Sequence, residues 1–375
     1  MAPAARRPPL VYVGSADGME AGIVRRESDL PFYAVPAAAL RGRNPLALAR
    51  NAGTLARGTL VARRLIASER PGAILGTGGY VCVPVFLAAR AMGVPTMVFL
   101  PDVVPGLAVR FLSRLATVTA CSVEDSARYF RRPPAVTGYP ARPELFALDR
   151  AACREAFGLA EGLPTVLVTG GSRGARSINR AIAALLPHLL PIAQVIHVCG
   201  REGDETWLRE AAAQLPETLR RRYYLYAYLH SEQRDTAPVA AGVPDLAPPS
   251  RPVAPSMVAA FGAADLVVCR SGASTLGELP AAGLPGVLVP YPYVNQDENA
   301  DFLVRRGAAL KIRDSEMLGG ARPEEGPLFR AVRRLIEDVN ERGRMAERSR
   351  ALARPDAARR LAQLLLHLAA EGTHA

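Results

Sequence analysis

Metal-binding and redox patterns are missing from this chain. Its five cysteines, Cys82, Cys121, Cys153, Cys199 and Cys269, stand singly and mostly among apolar neighbours, with no Cys-x-x-Cys and no Cys/His ligand spacing. Reduced, buried thiols are therefore expected. The five histidines form no ligand cluster, so neither a metal nor another cofactor is expected. No run of about 20 uninterrupted apolar residues occurs, and no membrane-spanning helix is expected. The first residues are rich in proline and arginine and lack an apolar signal core, which points to a cytosolic protein. Lysine is nearly absent: Lys311 is the only one, and arginine carries the net charge of +11. Such a surplus attracts nucleic acid, anionic lipid or phosphorylated ligands. No aromatic-basic interleaving accompanies it, so nucleic acid is not expected as a partner. No Gly-x-Gly-x-x-Gly follows the first strand, which disfavours a nicotinamide oxidoreductase.

What is present is length and a rhythm. At 375 residues and 49% apolar content, the chain exceeds one comfortable core and suits two domains. Strands are expected at 10–13, 74–77, 94–99 and 117–122, with helical segments at 45–68, 81–92 and 105–115. A proline-rich connection, 131–143, precedes a second set of strands at 165–169, 194–198, 223–227, 265–269 and 286–290. Strands alternating with helices predict parallel α/β sheets. Residues 231–255 carry six prolines and few large apolar side chains, and read as a loop insertion. The run 355–370 reads as a helix with Pro355 at its first position and Asp356 in its first turn. The expected division is 1–140, completed by 355–375, and 141–354. The fold class is α/β, two Rossmann-like domains facing across a cleft.

Two segments far apart carry the chemistry. Val166-Leu-Val-Thr-Gly-Gly-Ser-Arg-Gly-Ala175 and Ala264-Asp-Leu-Val-Val-Cys-Arg-Ser-Gly-Ala-Ser-Thr-Leu-Gly-Glu278 each read as a buried strand, a small-residue turn and a helix start. Gly170, Gly171 and Gly174 let the backbone approach a ligand, Ser172 adds a hydroxyl, and the helix dipole favours an anion. Ser271 to Thr275 repeat the arrangement, with Arg270 before the turn and Glu278 one helical turn later. Two anion cradles beside a carboxylate suit a sugar nucleotide, with the diphosphate on the amides and the ribose hydroxyls on the acid.

These residues resemble the MurG family, the UDP-N-acetylglucosamine:lipid I N-acetylglucosaminyltransferases of peptidoglycan synthesis, which have the GT-B fold. The likeness rests on Gly76-Thr-Gly-Gly-Tyr80, Val104-Pro-Gly106, Gly138-Tyr-Pro-Ala-Arg142, Gly170-Gly-Ser-Arg-Gly-Ala175, Arg270-Ser-Gly-Ala-Ser-Thr275 with Glu278, and Asn295-Gln-Asp-Glu-Asn-Ala300. It runs from about Val11 to the end, interrupted by the insertion. The resemblance implies an inverting hexosyltransferase moving GlcNAc from UDP-GlcNAc to the muramyl 4-hydroxyl of lipid I. Ser172, Gly174, Ala273, Ser274 and Thr275 would hold the diphosphate, with Arg270 or Arg142 helping to stabilise it as it leaves. Glu278 would take the ribose hydroxyls, Gln296 with its neighbour Asp297 the GlcNAc ring, and Leu229 would lie by the uracil. Arg142 could instead be a linker ion pair, Gln296 a solvated helix-start residue, and Glu278 a first-turn acid.

Two departures from the family stand out. The family begins with a strand and a glycine-rich loop carrying a histidine, whereas this sequence opens at what should be the second strand. At Val98-Phe-Leu-Pro-Asp102 the family's His-Glu-Gln-Asn becomes Phe99, Leu100, Pro101 and Asp102. Asp102 is then the one carboxylate expected near the reaction centre, as a base or orienting group, or else a cap for the next helix. Leucines and arginines interleaved over 41–68 read as a basic amphipathic helix, docking peripherally on the anionic cytoplasmic face of the membrane or packing in the core. Alternatives are a GT-B transferase with another lipid-linked acceptor and a catalytically silent UDP-sugar-binding protein.

Overall fold

The computed structural model describes residues 9–16, 18–38, 45–230, 254–320 and 322–372. The expected insertion at 231–255 lies, up to residue 253, outside them. In chain order the elements are β1 (Tyr12–Gly14), α1 (Met19–Glu27), β2 (Phe32–Ala34), α2 (Pro45–Glu69), β3 (Ile74–Gly76), α3 (Cys82–Ala91), β4 (Thr96–Leu100), α4 (Leu107–Leu115), β5 (Val118–Cys121) and β6 (Ala135–Val136). There follow α5 (Arg150–Ala156), β7 (Thr165–Thr169), α6 (Arg176–Leu189), β8 (Gln194–Val198), α7 (Glu205–Ala213), α8 (Glu217–Arg220), β9 (Tyr223–Tyr226), α9 (Met257–Ala263) and β10 (Leu266–Cys269). The chain closes with α10 (Thr275–Ala282), β11 (Gly286–Leu288), α11 (Asp297–Arg305), β12 (Ala309–Lys311), α12 (Pro327–Glu337), α13 (Val339–Ala351) and α14 (Ala357–Gly372).

Two compact units emerge: residues 1–101, 105–137 and 359–375 form one, residues 102–104 and 138–358 the other. In the first, β3-β4-β5-β6 make a parallel sheet and β1-β2 a separate parallel pair. Strand β4 is buried along its whole length, and its alternation decides which helix covers which face. Val98 and Leu100 meet Phe86 of α3 and Val109 and Leu112 of α4. Met97 and Phe99, on the other face, meet Leu361, Leu365 and Leu368 of α14. The period of two in a strand accounts for this sorting. Phe99 and Leu100 are therefore packing residues at 3% and 1% exposure, rather than lost polar groups facing a substrate.

The second unit has a six-stranded, all-parallel sheet in the order β12-β11-β10-β7-β8-β9. Val166, Val168, Val195, Leu266, Val268 and Val287 face Ile178, Ile182 and Leu185 of α6 and Leu328, Val332 and Leu335 of α12. The strands expected at 165–169 and 194–198 form at those residues. Strands β2, β6 and β12, of two or three residues each, add to those expected from the sequence. The expected connection 131–143 contains β6, which pairs with β5. Helix α14 starts at Ala357, so Pro355 and Asp356 precede its first turn.

Candidate functional site

The second unit's chain runs outward from β7 to β9 on one side and from β10 to β12 on the other, so strand order reverses between β7 and β10. Crevices at the carboxyl ends of such a strand pair are where open α/β sheets bind ligands. Thr169 and Cys269, the last residues of the two strands, are register partners. Both glycine- and serine-lined turns therefore leave the sheet side by side.

In the first turn Gly171 and Gly174 have φ of +84° and +88°. A Cβ on Gly174 would lie 2.0 Å from the Cys199 carbonyl oxygen, so this turn is in backbone contact with the loop after β8. Gly174 N–H donates to the Gly171 carbonyl at 3.0 Å, and Arg201 N–H to the Ser172 carbonyl at 3.4 Å. Ser172 is exposed. Among the described residues no side chain caps α6, which leaves its first-turn amides without side-chain acceptors.

In the second turn Ser271 Oγ donates to the Gln296 carbonyl at 2.9 Å, and Thr275 Oγ1 to the Arg270 carbonyl at 3.0 Å. Ala273, Ser274 and Glu278 are half-buried at the start of α10. Arg270 has other partners than a phosphate. Its Nη1 donates to Asp314 Oδ1 at 2.5 Å and to the Val289 carbonyl at 3.1 Å, and its Nη2 donates to Ser177 Oγ at 2.8 Å. With its side chain only 12% exposed, it braces the β10 turn against α6 and the segment after β12.

Gln296 stands at the N-cap of α11, where its Oε1 accepts the Tyr291 N–H at 2.9 Å. Its Nε2 borders Gly272, 3.7 Å from where a Cβ would stand. Asp297 is exposed and pairs with Lys311 at 3.3 Å. Leu229 is buried at 6% exposure, next to Tyr228, over whose ring the Arg201 guanidinium lies 3.7 Å from the centroid.

Asp102 belongs to the same unit and is held there by Asn299, a residue of the Asn295–Ala300 motif. Asn299, fully buried on α11, accepts the Val103 N–H at 2.9 Å. Its Nδ2 donates to Asp102 Oδ1 at 2.8 Å and to the Ser271 carbonyl at 3.0 Å. The helix-cap alternative for Asp102 falls: α4 begins after Gly106, with no side-chain cap. Burial raises the Asp102 pKa above the usual carboxylate range, and the Asn299 hydrogen bond counters part of that rise. Tyr139 packs against α10, where a Cβ on Gly277 would meet its ring at 2.6 Å. Burial and then the charges of Glu278 and Asp102 push its phenol pKa up, while Arg142 acts the other way. Arg142 is exposed, at the start of the short 3-10 helix Pro143–Phe146.

Sequence reasoning also missed the support beneath the first turn: Asn179, His197, Asp204 and Gly200. The spacing of Asn179 after the glycines, one helical turn into α6 on its inner face, was the available signal.

The family model for the glycosyltransferase family 28 C-terminal domain matches residues 165–239 and 249–361, and that for its N-terminal domain matches residues 5–121. A protein of Roseiflexus sp. (strain RS-1) is 61% identical over 95% of this chain and 82% of its own length. One from Desulforudis audaxviator is 38% identical over 97% of this chain and 91% of its own. Both are described as UDP-N-acetylglucosamine–N-acetylmuramyl-(pentapeptide) pyrophosphoryl-undecaprenol N-acetylglucosamine transferases. Among solved structures, Acinetobacter baumannii MurG superposes with a TM-score of 0.70 at 24% identity, over 95% of this chain and 90% of that one. A UDP-GlcNAc 2-epimerase from Neisseria meningitidis bound to UDP-GlcNAc gives 0.59 at 14%, over 91% and 86%. At these identities the structural likenesses speak for the fold.

Proposed function

Because the chain belongs to glycosyltransferase family 28, we propose that it transfers GlcNAc from UDP-GlcNAc to the muramyl 4-hydroxyl of undecaprenyl-diphospho-MurNAc-pentapeptide, with the residues of the β7/β10 crevice in the roles that follow. The observation that carries the donor half is the pair of anion-favouring turns leaving adjacent strands at the point where strand order reverses. The acceptor half rests on kinship with the relatives described above.

The donor diphosphate lies against the Gly171–Gly174 turn, on the Ser172 hydroxyl and the uncapped first-turn amides of α6, with Ala273, Ser274 and Thr275 opposite. Glu278 takes the ribose hydroxyls, Leu229 packs by the uracil, and Gln296, with Asp297 beside it, reads the sugar ring. In transfer the acceptor oxygen attacks the anomeric carbon, its bond to the diphosphate oxygen breaks, and UDP leaves with the electron pair. Oriented donors then matter most, because charge grows on the leaving oxygens. Arg142 is the exposed cation assigned to that charge, and Arg270 holds the turn in shape. Asp102 accepts the acceptor's proton; its raised pKa makes it a stronger base than an exposed aspartate.

Among the described residues no helix is long and apolar enough to cross a membrane, and the acceptor is lipid-borne. We assign membrane docking, at the cytoplasmic face, to the first unit. On α4, Leu107 and Phe111 are 63% and 41% exposed, flanked by exposed Arg110 and Arg114, while Val109 and Leu112 face the core. On α2, Ala62 and Ile66 are buried, while Leu60 is 60% exposed beside Arg57, Arg63 and Arg64. Apolar side chains rimmed by arginine suit an anionic bilayer surface.

The deciding experiment is transfer of labelled GlcNAc from UDP-GlcNAc to a short-chain lipid I analogue by the full chain. Product is expected; its absence in the presence of bound donor overturns the acceptor assignment.

A further inference from the structure

Beneath the first turn runs a hydrogen-bonded chain with a single consistent orientation. Asn179 is 1% exposed. Its Nδ2 donates to the Cys199 carbonyl at 2.9 Å and to Asp204 Oδ2 at 2.8 Å. Both amide protons are thereby used, so its Oδ1 is the acceptor facing His197 Nε2 at 2.9 Å. The imidazole must hold its proton on Nε2, and its Nδ1 then accepts from the Tyr223 hydroxyl at 2.8 Å. Asp204 is held in turn by Arg176 Nε and Trp207 Nε1, each at 3.0 Å. The Cys199 carbonyl at the end of this chain abuts Gly174, and a Cβ on Gly200 would fall 2.2 Å from Gly174 N. Nothing separates the two backbones.

From this geometry we infer that His197 is a positioning residue for the donor: through Asn179 it fixes the Cys199 carbonyl, and so sets the shape of the Gly171–Gly174 diphosphate turn. The inference rests on the donor assignment made above. His197 is fully buried and touches no substrate in that assignment, so its influence is confined to what the turn holds. Uridine, which lacks the diphosphate, should not sense it.

The test measures displacement of labelled UDP-GlcNAc from the full chain by UDP and by uridine. His197→Phe keeps the ring and deletes both hydrogen bonds. His197→Gln can still donate to Asn179 and accept from Tyr223. We expect His197→Phe to weaken UDP binding about tenfold, the scale of one buried group left unpaired, with uridine binding unchanged and His197→Gln close to wild type. Equal losses for UDP and uridine, no loss for UDP, or a His197→Gln defect as large as that of His197→Phe would each overturn the inference. Should His197→Phe fail to fold, Tyr223→Phe removes only the donor to Nδ1; a selective loss for UDP supports the relay and an unchanged preference overturns it. If wild type binds UDP no better than uridine, the donor assignment itself fails, and this inference with it.

Discussion

Gly171 and Gly174 offer a matched pair of substitutions. Their φ values are nearly equal, +84° and +88°, so alanine costs each about 1–2 kcal/mol in backbone conformation. What the new methyl meets differs. At Gly171 nothing lies within 4 Å, whereas at Gly174 the Cβ would stand 2.0 Å from the Cys199 carbonyl oxygen. Carbon and oxygen tolerate about 3.3 Å, so the carbonyl or the turn must shift by over an ångström. That movement breaks the 2.9 Å hydrogen bond from Asn179 and leaves buried groups unpaired, a further ~1–3 kcal/mol. Gly171→Ala should therefore cost ~1–2 kcal/mol and Gly174→Ala ~2–5 kcal/mol. The assay is urea unfolding without ligand, followed by the fluorescence of Trp207, the only tryptophan. Trp207 packs beside Cys199 and reports this unit alone. Equal losses in the two variants would refute the close approach of the two turns.

Other outcomes follow from the same geometry. Burial lowers the His197 pKa to about 3 from 6.5, so below pH 6.5 the unfolded chain binds a proton that the folded one refuses. Its contribution to stability is intact above that pH and falls by ~1.4 kcal/mol per unit on acidification towards pH 3; acid unfolding of His197→Gln should lack this slope, and an unchanged slope would contradict it. If Asp102 is the base, the transfer rate rises with pH through its raised pKa and levels off above it. Asp102→Asn should then lower kcat about 100-fold with little change in KM for UDP-GlcNAc, and a fully active variant removes that role. Asn299→Ala strips partners from Val103, Asp102 and Ser271, and should cost ~3 kcal/mol by the same urea assay; a loss below ~1 kcal/mol would deny that Asn299 holds the three together. Replacing both Leu107 and Phe111 by serine should reduce sedimentation with anionic vesicles several-fold while leaving transfer to a detergent-soluble acceptor intact. Unchanged vesicle binding would place the docking face elsewhere.

Sequence alone determined what local physics writes into neighbouring residues. Short apolar stretches such as Val166-Leu-Val168 and Val195-Ile196, in strands buried on both faces of a parallel sheet, mark those strands in the sequence. The glycine and serine turns mark places where a strand can stop, let backbone approach a ligand and open a helix. Two such turns with Glu278 suggest a sugar nucleotide from the sequence alone. Long-range pairing was beyond that reach. Sequence spacing could not tell that Phe99 and Leu100 end a buried strand, because a replaced polar group and a packing residue look alike in one dimension. It could not separate Arg270, occupied by Asp314, from Arg142, which is exposed. Nor could it show that Asn299 gathers Asp102, Val103 and Ser271, or that His197 supports Gly174 through Asn179. Those relations join residues tens to nearly two hundred positions apart, and only a folded sheet, whose strand order reverses between β7 and β10, brings them within hydrogen-bond distance.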